Sequence, residues 1–94
     1  MHPSRAEGFE WDDGNEEELA RHHVKAMEVE QVFANDPRWA RNKKSGSGDW
    51  RMVGRADGGR ILTIIVLWKE EERTIRAVTG WDATDGDRNR FLGR

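Results

Sequence analysis

Apolar and polar residues alternate briefly near the start of the chain and then change to helical spacing. Phe9-Glu10-Trp11 alternates, which predicts a short half-buried strand. The turn residues that follow predict a helix over 15–22, with Asp13 and Glu16 at capping-box spacing. Four apolar residues then fall on one helical face and predict a second helix: Ala26, Val29, Val32 and Phe33. Asn35-Asp36-Pro37 ends this helix, because the residue before a proline avoids the α region.

The second half of the chain has the pattern of strands joined by turns. Trp39 is predicted to begin a strand, and residues 42–49, rich in glycine, serine and lysine, form a connecting loop. Further strands are predicted over 50–56, 60–68 and 73–81. The middle one is almost continuously apolar, which indicates a central strand covered on both faces. Thr84 is expected to cap a short helix that ends near Leu92.

This order of elements predicts an α+β fold: a short N-terminal strand, two helices, an antiparallel β-meander and a short C-terminal helix. The length of 94 residues suits one domain. We expect a flexible N-terminus over residues 1–8 and a single domain over 9–94. Each of the five tryptophans can contribute a large apolar area to a core of this size.

The composition limits the chemistry and the location. The chain has no cysteine, so it has neither disulfides nor a thiolate nucleophile. The longest apolar run, 61–68, is too short for a membrane helix, and residues 1–5 do not resemble a signal peptide. These features predict a cytoplasmic protein without a membrane partner.

The net charge of −2 conceals an uneven distribution. Residues 1–37 contain ten acidic and three basic side chains, whereas residues 38–60 contain seven basic and two acidic ones. One basic face, rather than the whole molecule, would then meet a polyanion. A run of charges is also typical of solvated surface, so this pattern by itself leaves both interpretations open.

A series of short motifs covers most of the chain from residue 9 to residue 91, and their order and spacing resemble the BrnT family. In chain order they are Phe9-Glu10-Trp11-Asp12, Asn15, Arg21-His22-His23-Val24, Val32 to Pro37, Arg51 with Gly54, Gly59-Arg60-Ile61-Leu62, and Ile75 to Thr84 with Asp87 and Phe91. The chain departs from the family pattern at His23, where glycine is expected, and at Trp81, where arginine is expected.

The resemblance implies a fold similar to that of RelE-type microbial ribonucleases. It also implies RNA cleavage, and neutralisation by a small antitoxin protein, with a ribbon-helix-helix protein as one possible type. Trp81 in place of an arginine removes one expected phosphate clamp. A non-catalytic module of the same fold, binding an antitoxin or another partner, is therefore the alternative to an endoribonuclease.

Metal-independent RNA cleavage needs a group that exchanges protons near neutral pH, which is a typical role of histidine. His22 is the candidate, with Glu18 one helical turn earlier to orient it, while His23 is expected to face the core. The structural alternative is that both histidines complete a helix, where a cation would complement the helix dipole.

Cleavage also needs cations around the phosphate, and arginine offers a bidentate fork. Arg51 and Arg76, on neighbouring predicted strands, are the catalytic candidates. The RNA-binding candidates are Arg55, Arg60, Lys43 and Lys44. Charges that merely keep a sheet face solvated are an equally good interpretation. Neither a metal site nor a cofactor is predicted, because the chain has no ligand cluster beyond the adjacent histidines and no phosphate-binding glycine loop.

Overall fold

A computed structural model describes residues 1–42 and 48–93 and has the predicted α+β class. Its strands are β1 (Gly8–Glu10), β2 (Arg38–Arg41), β3 (Trp50–Arg55), β4 (Ile61–Lys69) and β5 (Thr74–Asp82), and its helices are α1 (Asp13–Arg21), α2 (Ala26–Ala34) and α3 (Asp85–Leu92). Among the described residues no helix has the length and apolar character needed to cross a membrane. Lys43 and Lys44 lie outside the described residues.

The strands form one five-stranded sheet in the order β1-β5-β4-β3-β2. Strands β2 to β5 form the predicted antiparallel meander, but β1 pairs parallel with β5, so the sheet is mixed rather than purely antiparallel. The direction of this pairing was not predictable from three alternating residues, because alternation identifies the buried face of a strand and not its partner.

The core lies on both faces of the sheet. Helices α1 and α2 cover one face, where Leu19 and Val32 pack against strand residues such as Met52 and Ile64. Helix α3 covers the other face, where Phe91 packs with strand and loop residues. The first six residues of β4 are all buried, which confirms the prediction of a central strand covered on both sides.

Helix α1 begins at a capping box, although not at the predicted pair. Asp12 is the N-cap and accepts a hydrogen bond from the backbone N–H of Asn15, whose side-chain oxygen accepts one from the Asp12 N–H. The Asn15 amide nitrogen also donates to the carbonyls of Glu10 and Ala77. An amide both accepts and donates, so buried Asn15 attaches α1 to β1 and β5 in a way that a glutamate cannot.

Helix α1 ends in a Schellman motif that places two histidines differently. The N–H of His23 donates to Ala20 and the N–H of Val24 donates to Leu19. His23 adopts a φ of 61° and is exposed, so the prediction that it faces the core is wrong. The family pattern has glycine at this position, and a left-handed backbone favours glycine.

The first eight residues, predicted to be flexible, make several contacts with the sheet. A short 3₁₀ helix spans Pro3–Arg5, and Pro3 is buried. The indole N–H of Trp68 donates to the carbonyl of Met1 at 2.9 Å. The ring of His2 lies edge-on to Trp50, with ring centroids 4.8 Å apart.

Candidate functional site

His22 is the C-cap of α1, where the helix ends beside β5. Its Nε2 lies 3.3 Å from Glu18 Oε2, and its side chain is 40% exposed, so solvent reaches the ring. Among the described residues, Nδ1 of His22 has no hydrogen-bond partner, which leaves that nitrogen available to a ligand. The predicted pairing of Glu18 with His22 is thus present in the structure.

Glu18 is itself held in place by two further groups. Its Oε2 accepts a hydrogen bond from Thr79 Oγ1 at 2.9 Å, and its Oε1 is 2.7 Å from a guanidinium nitrogen of Arg21. The hydrogen bond from Thr79 is the main reason that the pKa of Glu18 is lowered, and His22 and Arg21 lower it further. A carboxylate fixed in this way orients the imidazole, as the third group of a catalytic triad does.

Trp81 is the aromatic neighbour of His22. The two ring centroids are 5.9 Å apart with an interplanar angle of 64°, an edge-to-face arrangement. Trp81 stands where the family resemblance predicts an arginine, so the group beside the imidazole is apolar and uncharged. The cation nearest to Glu18 in the described contacts is Arg21, which is 72% exposed.

Arg51 extends from β3 on the side of the sheet that α3 covers. Its Nη1 donates to both carboxylate oxygens of Asp87, at 3.1 and 3.3 Å, and Thr63 Oγ1 donates to the same carboxylate at 3.0 Å. Asp87 is almost fully buried, and it is positioned because Thr84 caps the first turn of α3. The Nε of Arg51 is buried without a hydrogen-bond partner in the described part of the chain, so the guanidinium has donor capacity that the fold does not use.

Arg76 and Arg60 both bind carboxylates of the protein. Arg76 forms a two-pronged pair with Asp12, at 2.8 and 3.2 Å, which joins β5 to the start of α1. Arg60 lies 3.0 Å from Glu28 Oε1 and 3.1 Å from Asp82 Oδ1, so it joins the turn after β3 to α2 and to the end of β5. These contacts give both arginines a structural role.

The Asp12–Arg76 pair makes a testable contribution to acid stability. Its hydrogen bonds, with that from the Asn15 N–H, lower the pKa of Asp12 from 3.8 to about 2. Since the native pKa is the lower one, the contribution is complete above about pH 4 and is lost as the pH falls towards 2. Asp12→Asn should therefore flatten the decline in unfolding free energy over this interval, measured by urea titration. Asp13→Asn, a change of the adjacent exposed carboxylate, should leave the decline as steep as in the wild type.

Two basic residues without protein partners in the described part of the chain lie elsewhere, around a cavity of about 80 Å³ between α3 and strands β2 and β3. Arg38 and Arg90 line it together with Arg51, and neither has a hydrogen bond or ion pair within the described residues. Neither residue is among those predicted from the sequence. Because Arg38 pairs with Val53, it lies on the same face of the sheet as Arg51. A correct prediction of the β2–β3 register could therefore have identified Arg38. Arg90 reaches the cavity only because α3 folds back onto the sheet.

The structure brings together only part of the predicted site. Within the described residues, no contact joins His22 to Arg51, Arg60 or Arg76. Thr79, the partner of Glu18, pairs with Ile65 on β4, and Ile65 pairs with Arg51 on β3. The backbones of Thr79 and Arg51 are therefore two strand spacings apart, which is about 10 Å. The side chain of Arg55 is exposed, and its one hydrogen bond within the described residues is to the carbonyl of Gly59 in its own turn.

The described residues contain no group of three or more histidine, cysteine or carboxylate side chains arranged to hold a metal ion. Comparison with protein-family models gave no match, and neither did comparison with curated proteins.

Proposed function

We propose that this chain is a BrnT-like toxin of a bacterial toxin–antitoxin pair and that it cleaves RNA without a metal ion. The proposal includes a cytoplasmic location, a RelE-like variant of the α+β fold and a small antitoxin, such as a ribbon-helix-helix protein, encoded beside it. One observation carries it: the predicted histidine is exposed, has a ring nitrogen without a partner among the described residues, and is oriented by a carboxylate that Thr79 holds.

The reaction transfers a proton while bonds to phosphorus exchange. The ribose 2′-oxygen attacks the adjacent phosphorus, the bond to the 5′-oxygen breaks, and the 2′ proton ends on that 5′-oxygen. The products are a 2′,3′-cyclic phosphate and a free 5′-hydroxyl. His22 accepts or delivers the proton at Nδ1, because Nε2 is directed at Glu18. Negative charge that grows on the phosphoryl oxygens is stabilised by guanidinium groups, and the guanidinium nearest to the His22–Glu18 pair in the described contacts is that of Arg21.

The test is an RNA degradation assay with purified protein in the presence of a chelator. Cleavage is expected to leave 2′,3′-cyclic phosphate ends and to stop when the substrate has deoxyribose at the cleaved position. Addition of the antitoxin encoded by the neighbouring reading frame should suppress the activity. If RNA of several sequences stays intact at high protein concentration, the catalytic proposal is wrong.

A non-catalytic module of the same fold is the second candidate, and a specific observation favours it. Arg51, Arg60 and Arg76 each bind at least one carboxylate of the protein, and Trp81 puts an indole instead of a cation next to His22. Phosphate would have to compete with Asp87, Glu28 and Asp12 for these guanidiniums. In this case the chain binds its antitoxin or another partner and leaves RNA intact.

Trp81→Arg distinguishes the two candidates. An arginine at this position would place a cation beside His22, so a binding module should gain RNA cleavage and growth inhibition on expression in bacteria. If the wild type is already a nuclease, the substitution should change its rate by a modest factor and not create a new activity. Trp81→Lys is the matched control, because it adds a charge without the planar fork. Equal gains from both substitutions would show that charge alone is sufficient.

A further inference from the structure

The cavity lined by Arg38, Arg51 and Arg90 is here called the α3 pocket. We propose that the α3 pocket binds one nucleotide of single-stranded RNA, with the phosphate on Arg38 and Arg90 and the base on the apolar floor. This inference rests on the proposed function in taking the polyanion to be RNA. It adds a binding site that is separate from His22 and that includes Arg38 and Arg90, which lie outside the family motifs.

The charge of the pocket favours an anion. Three guanidiniums line it against one carboxylate, Asp87, which Arg51 and Thr63 already engage. The guanidinium groups of Arg38 and Arg90 form no hydrogen bond or ion pair with the described residues, unlike those of Arg60 and Arg76. Planar guanidiniums that are not held by carboxylates are well suited to bidentate contact with phosphate oxygens.

The lining of the pocket favours a nucleotide over an acidic peptide. Apolar side chains, among them Val53 and Phe91, form much of its surface. A nucleobase can cover an apolar floor and stack on guanidinium planes, whereas the carboxylate of aspartate or glutamate brings no such planar surface. An anion joined to a flat, largely apolar ring system matches both parts of the pocket.

The pocket lies on the face of the sheet that α3 covers, whereas His22 ends α1, which packs on the other face. The pocket would thus hold a nucleotide outside the cleavage position, and it would contribute binding rather than proton transfer.

The test measures binding of a short fluorescent 2′-O-methyl RNA single strand, which lacks the attacking hydroxyl and so separates binding from cleavage. Arg38→Ala and Arg90→Ala should each weaken binding several-fold, and the slope of log affinity against log salt should fall by about 0.7 for each lost phosphate contact. Arg5→Ala is the matched control: Arg5 is exposed, has no side-chain partner among the described residues and lies against a different cavity. Urea unfolding midpoints equal to that of the wild type verify that the variants fold.

The possible outcomes separate this inference from the proposed function. If the wild type cleaves RNA and both pocket variants bind like Arg5→Ala, the α3 pocket is not a nucleotide site although the nuclease proposal stands. If the two pocket variants lose binding while no RNA is cleaved, the nucleotide site is supported and the catalytic proposal is wrong. If the wild type fails to bind the RNA, or if a polyglutamate peptide binds more tightly with the same dependence on Arg38 and Arg90, the inference is overturned.

Discussion

His22→Ala is expected to reduce the rate of RNA cleavage by about 100-fold or more, which is the usual size of a general acid–base contribution. The substitution removes the only ring that Glu18 orients in the described structure, and it leaves the backbone of the helix end unchanged. Initial rates on a single RNA substrate measure the effect. Binding of 2′-O-methyl RNA should remain within a small factor of the wild type, because the α3 pocket is untouched.

His23→Gly is the matched control for this experiment. It removes the adjacent imidazole at a backbone φ of 61°, where glycine is favoured, and the carbonyl that accepts from Arg60 is retained. We expect wild-type cleavage and a gain in stability of up to about 1 kcal/mol, since the cost of a left-handed conformation is relieved. A loss of cleavage equal to that of His22→Ala would mean that the end of α1, and not the His22 imidazole, is what matters.

Asp87→Ala is expected to lower the free energy of unfolding by about 2–4 kcal/mol, because it removes one partner of a largely buried ion pair. Arg51 would lose both of its hydrogen bonds to the carboxylate, and the buried hydroxyl of Thr63 would lose its acceptor. The backbone attachment of α3 at Thr84 would remain. Urea denaturation followed by tryptophan fluorescence measures the change.

Asp85→Ala is the control for Asp87→Ala, because it removes a carboxylate from the same first turn of α3 without an ion pair to the sheet. Its expected cost is below about 1 kcal/mol, the usual size of an exposed charge at a helix N-terminus. Equal costs for the two variants would show that the helix end, rather than the contact with Arg51, accounts for the loss.

These experiments address two distinct uses of charge in this molecule. Arg60 and Arg76 join separate elements through carboxylates, and Arg51 joins α3 to the sheet. Arg38 and Arg90 make no such contact among the described residues. These five arginines are thus divided between residues that stabilise the fold and residues that remain available to a polyanion. Counting charges along the sequence does not distinguish these groups, because the carboxylates that neutralise them come from distant segments.

The sequence alone determined the α+β class, the order of the elements and most of their boundaries. Period-two and helical spacing are local properties, so they identified the meander, the buried β4 and the cap of α3 at Thr84. The pair Glu18 and His22 was also predictable, since positions four apart on a helix are neighbours. These features depend on residues that are close in the chain.

Only the tertiary structure decided which partners each segment found. The parallel pairing of β1 with β5 and the bonding of Asn15 to Ala77 both depend on contacts between distant residues. The same holds for Asp87 on Arg51 and for the α3 pocket. A long-range ion pair forms where packing brings two distant segments of the backbone close together. The local spacing of residues carries no information about which segments will meet.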